Sequence, residues 1–244
     1  MSEMTYDIRE MLDGLGLTTA AIRWKQILDD PEFGNFTAQQ LFREVITPQY
    51  LEAMNKRYET NLKFSRLREK SARIEHLKTG NGRKYNDETV RQILTFHFVA
   101  AGMNIGIYGK TGAGKSYFTS ALCNEACRLN YRCQFRDYCD MMDELLRLSR
   151  EDMTKYTKKL KYYARLRILF IDDFCISRYS EDGIKILYHL LKSRADLHYP
   201  TVFNTQYEPS EWSKWLSDDS GCFGKLDGIR RRLTTGFTVE IVKL

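Results

Sequence analysis

The chain has 244 residues, 43% hydrophobic and 29% charged, with a formal net charge of +6. That is an ordinary globular balance, sized for one large domain or one domain with a smaller module. No apolar run approaches the ~20 residues needed to span a bilayer, and the acidic, polar start MSEMTYDIRE is unlike a signal peptide, so a cytoplasmic protein without membrane attachment is expected.

The first 80 or so residues read as helical. Tyr6, Ile8, Met11, Leu12 and Leu15 form a short pattern closed by Gly14 and Gly16. Ile22, Trp24, Ile27 and Leu28 form a second, ending before Asp30-Pro31. Thr37 can cap a third, with Leu41, Phe42 and Val45. Thr47-Pro48 then opens a long helix with proline at its first position and a stripe from Leu51 to Leu77. Thr79-Gly80-Asn81-Gly82 reads as a linker, giving a helical module over 1–82 and a second domain over 83–244.

From about Tyr85 strand and helix signals alternate. A helix over Thr89 to Ala101 precedes the apolar run Ile105-Gly106-Ile107-Tyr108. Residues 109–116 then read GKTGAGKS, and a helical pattern starts at Lys115. G-x-x-x-x-G-K-[ST] arises by chance in about one chain of this length in a hundred. Between a strand and a helix it signals a phosphate-binding loop. Gly109, Gly112 and Gly114 let the backbone approach a polyphosphate. The N–H groups of Lys110, Thr111, Ala113 and their neighbours through Tyr117 cradle it at a helix N-terminus. Lys115 can reach the β- and γ-phosphates and the Ser116 hydroxyl can ligate Mg²⁺. The chain is therefore expected to bind ATP with Mg²⁺.

Further strands follow over Tyr131 to Arg136, Ile168 to Ile171, Thr201 to Phe203 and Phe237 to Val242. Asp137 and Ser180 are placed to cap the helices after the second and third of the domain's strands. The alternation implies an α/β fold, a parallel five-stranded sheet between helices behind a small helical N-terminal domain. The segment Leu169-Phe170-Ile171-Asp172-Asp173 ends a buried strand in two carboxylates, at the sheet end where ligands bind. Asp172 can hold Mg²⁺ and Asp173 can orient or deprotonate the attacking water.

Together these elements resemble AAA+ ATPases, and more narrowly the IstB-like helper ATPases of insertion sequences, relatives of the DnaC-type helicase loaders. The resemblance rests on the helical N-terminal segment, GIYGKTGAGKS, LFIDDF, SEDGIKILYHLL, TVFNTQYEPSEW with its Trp212, and IRRRLTTGFTVEI. It implies a γ-phosphate sensor after the fourth strand. Gln206 aligns best on Trp212, Asn204 and Thr205 are near rivals, and family members often carry Asn there. It also implies an arginine finger acting in trans in a homo-oligomer, with Arg232 the better match and Arg231 the alternative. Arg230-Arg231-Arg232 can equally be a basic surface cluster. With the chain ending at Leu244, no C-terminal helical lid is expected.

Charge is unevenly distributed. Residues 1–54 carry four basic and nine acidic side chains, residues 55–84 ten basic and three acidic, and Lys155 to Arg167 six basic and none acidic. The two basic blocks are candidate duplex-DNA contacts or solvated helix faces. Tyr58, Phe64, Tyr162 and Tyr163 could stack on bases, or pack in the core as helix-spaced aromatics usually do. By resemblance the partners are DNA and the transposase of the same element. A DnaC-like helicase loader is the alternative, and a nucleotide-switched scaffold with little hydrolysis a further one. The six cysteines contain no C-x-x-C pair and no Cys/His grouping with ligand spacing, so reduced thiols are expected rather than zinc.

Overall fold

A computed structural model describes residues 7–77, 82–217 and 220–243. The chain divides into two compact units, residues 1–60 and 61–244.

The first unit contains α1 (Ile8–Gly14), α2 (Thr18–Leu28) and most of α3 (Ala38–Ser65). Its small core gathers Ala20, Ile27 and Val45, flanked by Trp24, Phe33, Phe36 and Ile46. A reciprocal cap starts α3, where the Gln40 N–H donates to Thr37 Oγ1 (3.3 Å) and the Thr37 N–H to Gln40 Oε1 (2.9 Å). The expected break at Pro48 is absent, and one helix runs through it. A mid-helix proline costs ~3 kcal/mol, and here Val45 and Ile46 anchor the preceding turn in the core.

The stripe does not continue as helix to Leu77. Arg66 takes a left-handed backbone (φ 58°) and ends α3, and Ile74–His76 forms only a 3₁₀ turn. Residues 61–77 instead pack on the larger unit. Asn61 Nδ2 donates to Asn130 Oδ1 (3.0 Å), Gln134 Nε2 to the Phe64 carbonyl (3.1 Å), and Asn124 Nδ2 to the carbonyls of Lys70 (2.9 Å) and Ala72 (3.0 Å). These bonds hold residues 61–77 within the unit that begins at residue 61. Of the expected linker, residues 79–81 lie outside the described residues.

The second unit continues with β1 (Arg83–Lys84), α4 (Asp87–Leu94), α5 (His97–Ala101) and β2 (Asn104–Tyr108). The helix expected over 89–101 is broken at Phe96, whose left-handed backbone (φ 58°) turns its ring inward to stack on Tyr131, 5.9 Å between centroids. Then come α6 (Lys115–Arg128), β3 (Cys133–Asp137), α7 (Tyr138–Glu151), α8 (Met153–Ala164) and β4 (Ile168–Asp172). The chain closes with α9 (Glu181–Asp196), β5 (Thr201–Thr205), α10 (Trp212–Leu216), α11 (Phe223–Leu233), β6 (Gly236–Glu240) and β7 (Val242–Lys243). Asp137 caps α7 as expected, accepting from the Asp140 N–H (3.0 Å), whereas Ser180 precedes α9 without a side-chain cap bond.

Five strands form a parallel sheet in the order β3-β4-β5-β2-β6. Parallel pairing needs helical crossovers covering both faces, and β4 and β5 are accordingly buried almost throughout. The strand expected over 237–242 is two: β6 stays in the sheet, while β7 pairs antiparallel with β1. The core centres on Tyr138, Tyr163, Phe174, Phe203 and Trp212. Arg194 is fully buried and donates to Thr201 Oγ1 and to the carbonyls of Tyr163, Leu166 and Pro200, fastening the end of α8 to the starts of β4 and β5. Among the described residues nothing helical follows β7, and no helix is long and apolar enough to cross a membrane.

Candidate nucleotide site

β2 delivers the chain to the carboxyl end of the sheet, and the loop 109–114 turns it into α6. Gly109, Gly112 and Gly114 all adopt positive φ (156°, 77° and 100°). At Gly109 a Cβ would lie 2.5 Å from the Ile241 carbonyl oxygen, so only glycine fits against the strand leaving β6. Arg83 braces the loop from outside, with Nε donating to the Ala113 carbonyl (2.9 Å). The Tyr117 hydroxyl meets His76 Nδ1 (2.9 Å), so the 3₁₀ turn at 74–76 flanks the first turn of α6. Sequence reasoning missed Arg83 and His76, which lie outside any motif.

Lys115 is only 7% exposed and its Nζ donates to the Lys110 carbonyl (3.2 Å). Burial lowers its pKa, partly offset by the negative charges of Asp173 and Asp172. A buried cation facing two carboxylates suits a site that receives a polyanion and its metal.

Asp172 ends β4 and Asp173 follows it at φ 53°, a left-handed backbone that costs a non-glycine residue ~1 kcal/mol. Asn204, completely buried on β5, holds this bend. Its Oδ1 accepts from the Asp173 N–H (3.1 Å) and its carbonyl from the Phe174 N–H (2.8 Å). Its Nδ2 donates to Asp172 Oδ1 and to Thr119 Oγ1 on α6 (3.0 Å). Burial raises the Asp173 pKa, and the Asp172 charge adds to the effect.

The three sensor candidates separate. Asn204 is committed to the Asp172 carboxylate, the Asp173 N–H and Thr119. Thr205 is buried and its hydroxyl accepts from the Tyr207 N–H (3.2 Å). Gln206 faces the phosphate loop, its Oε1 accepting from Thr111 Oγ1 (2.7 Å).

The donors present fit a magnesium ion. Ser116 is exposed and its hydroxyl makes no hydrogen bond among the described residues, and Asp172 has one oxygen engaged by Asn204. Hard oxygen donors of this kind suit Mg²⁺, which keeps several waters of its own.

The arginines of α11 lie elsewhere. Asn104, at the amino end of β2, donates from Nδ2 to the Arg232 carbonyl (2.8 Å). The phosphate loop leaves the other end of that strand, roughly 13 Å away at ~3.3 Å per residue. The Arg232 guanidinium donates to the Gly228 carbonyl (2.8 Å) and lies 4.8 Å from the centre of the Tyr188 ring. Arg230 pairs with Asp227 (2.6 Å). Arg231 is exposed, and its side chain has no partner among the described residues.

The second basic block forms α8 and the turn after it. Lys155 pairs with Asp152 (3.2 Å) and Lys159 with Glu144 (2.8 Å). Lys158, Lys161 and Arg165 are exposed without side-chain partners among the described residues. A groove beside them has Arg66, Arg147, Lys155, Lys158 and Lys159 in its lining, together with the carboxylate of Glu144. The aromatics are packed: Tyr163 is fully buried, and Phe64 lies edge-on to Tyr162 at 6.3 Å and under the Arg132 guanidinium at 4.3 Å.

Comparison with known proteins places this geometry. The ATP-binding protein of insertion sequence IS5376 from Geobacillus stearothermophilus is 22% identical over 220 residues, covering 90% of this chain and 86% of its own. An insertion-sequence ATP-binding protein of Sinorhizobium fredii is 21% identical over 89% of this chain and 86% of its own. Among solved structures, DnaI superposes with a TM-score of 0.58 (21% identity, 71% of this chain, 92% of that one) and the DnaC helicase loader with 0.55 (20%, 70% and 97%). DnaA from Aquifex aeolicus bound to AMPPCP gives 0.56 at 19% identity, over 70% of this chain and only 50% of that protein. The family described as IstB-like ATP binding protein matches residues 11–232, and this chain belongs to it, a P-loop ATPase with the AAA+ fold.

Proposed function

We propose that the chain is an ATP-dependent DNA-binding oligomer that assists the transposase of an insertion sequence. Its relatives named for insertion sequences support that setting. ATP and Mg²⁺ would lie against the loop 109–116, with Lys115 on the phosphates, Ser116 and Asp172 on the ion, and Asp173 on the attacking water. Gln206, beside Thr111, would sense the γ-phosphate. The finger would come from α11 of a neighbouring subunit, and the observation that carries this is the bond from Asn104 to the Arg232 carbonyl. It holds these arginines at the far end of β2 from their own phosphate loop. Arg232 is the better match by resemblance, but its guanidinium is engaged with Gly228 and Tyr188, so Arg231, whose side chain has no partner among the described residues, takes precedence.

ATP-bound subunits would assemble on duplex DNA, remodel it and stimulate the transposase, and hydrolysis would reset the assembly. Lys158, Lys161 and Arg165 would meet the DNA backbone. The N-terminal unit would serve self-association and partner contact, which its exposed Ile8, Leu15, Phe42 and Tyr50 support. Phosphate release by the purified protein, with and without duplex DNA, tests the reading, since a scaffold that only switches would show no stimulation at any concentration. The likeness to DnaI and DnaC favours one second reading, a helicase loader. Preference for single-stranded over duplex DNA in a binding titration would select it.

A further inference from the structure

Three of the six cysteines, distant from any conventional ligand spacing, meet in the core. Cys123 and Cys127 are one turn apart on a single face of α6, and Cys133 opens the neighbouring strand β3. Their sulfur atoms all lie within 4.8 Å of one another. The Cys127–Cys133 separation is 3.6 Å and Cys123–Cys133 is 3.9 Å. Zinc–thiolate bonds of ~2.3 Å in tetrahedral geometry set sulfur atoms about 3.8 Å apart. All three thiols are enclosed, at 0%, 0% and 1% exposed. Cys139, Cys175 and Cys222 are not part of the cluster.

We propose that Cys123, Cys127 and Cys133 form a binding site for a thiophilic d¹⁰ cation, Zn²⁺ or Cu⁺, that ties α6 to β3. Soft thiolates select these ions over Mg²⁺, so the site is chemically separate from the oxygen donors Ser116 and Asp172. Three closed sulfur ligands suit three-coordinate Cu⁺, whereas Zn²⁺ would take a water as fourth donor. The ion would sit beneath the helix whose first turn is the phosphate site. It would therefore anchor that helix from behind without touching nucleotide.

The test uses the full chain, expressed in media supplemented with zinc, copper or cobalt and purified under reducing, chelator-free, anaerobic conditions. Elemental analysis should find about one ion per chain. The cobalt form should show a thiolate-to-metal charge-transfer band that added Zn²⁺ removes, and competition with a Cu⁺ chelator distinguishes the copper arm. The variant Cys123→Ala/Cys127→Ala/Cys133→Ala should lose ion and band while still binding an ATP analogue, which certifies its fold. If that variant does not fold, the metal content and cobalt band of the unaltered chain decide alone. A metal content below about a tenth of an ion per chain with no cobalt band overturns the proposal. So does ion retention by the folded variant, or a Cys127–Cys133 disulfide in place of metal.

Discussion

The two ends of β2 differ in how completely their polar groups are satisfied. At the carboxyl end, the phosphate loop and carboxylates are wired together. Asn204 spans Asp172, the Asp173 backbone and Thr119, Gln206 meets Thr111, and Lys115 is folded onto its own loop. At the amino end, α11 presents three successive arginines, and one of them, Arg231, is left exposed without a partner among the described residues. One end is organised for a ligand it receives within its own chain. The other offers a charge that nothing among the described residues uses, which is what a site shared between subunits requires.

The largest expected effect lies at the open end. Arg231→Ala should lower DNA-stimulated turnover by ~10³–10⁵-fold with little change in thermal stability, as loss of a finger in trans does. Arg232→Ala should do the reverse, moving the melting temperature more than the chemistry, because its guanidinium holds Gly228 and Tyr188. If the kinetic loss follows Arg232 instead, the difference drawn between these neighbours fails.

At the wired end, Asp173→Asn should cut turnover by ~10²–10⁴-fold while sparing ATP binding, measured by phosphate release and nucleotide titration. The same variant should change stability with pH. Burial and Asp172 raise the Asp173 pKa in the fold, so the unliganded protein loses stability as pH rises from the ordinary carboxylate range through that raised value. Asp173→Asn should flatten this fall and melt slightly higher near neutrality, at about 2–4 °C per kcal/mol for a chain of this size.

A smaller effect is expected on the basic helix. Lys158→Glu/Lys161→Glu should weaken duplex binding and make the log–log salt slope shallower by ~0.9 for each phosphate the variant no longer neutralises. An unchanged slope would return α8 to the status of a solvated face. The smallest is expected at Asn204→Ala. Releasing the Asp173 bend should cost ~1–3 kcal/mol for the buried partners left unpaired, read as a lower melting temperature with ATP binding intact.

Much of the wired end is legible in sequence because local chemistry dictates it. Glycines at 109, 112 and 114 and an apolar strand ending in Asp172-Asp173 need no distant partner to be interpreted. The β-strand periodicities likewise place all five strands of the parallel sheet. What sequence misses depends on tertiary contacts. Pro48 reads as a helix start, yet packing of Val45 and Ile46 carries α3 through it. Arg66 and Phe96 break helices through left-handed backbones that no glycine announces. Asn204 looks like a sensor from its place after the strand, and its bonds to the Asp172 carboxylate and the Asp173 N–H appear only when β4 and β5 are side by side. The cysteines meet because α6 packs against β3, a proximity that their spacing conceals.

The shared site is tested most directly by mixing two inactive proteins. Asp173→Asn supplies an intact α11, and Arg231→Ala supplies an intact phosphate loop and carboxylates. Neither alone should release phosphate appreciably with ATP, Mg²⁺ and duplex DNA, and the mixture should recover turnover in proportion to the mixed interfaces formed. A mixture as inactive as its components, or an Arg231→Ala/Arg232→Ala protein that turns over ATP like the unaltered chain, would contradict a site completed by a neighbour.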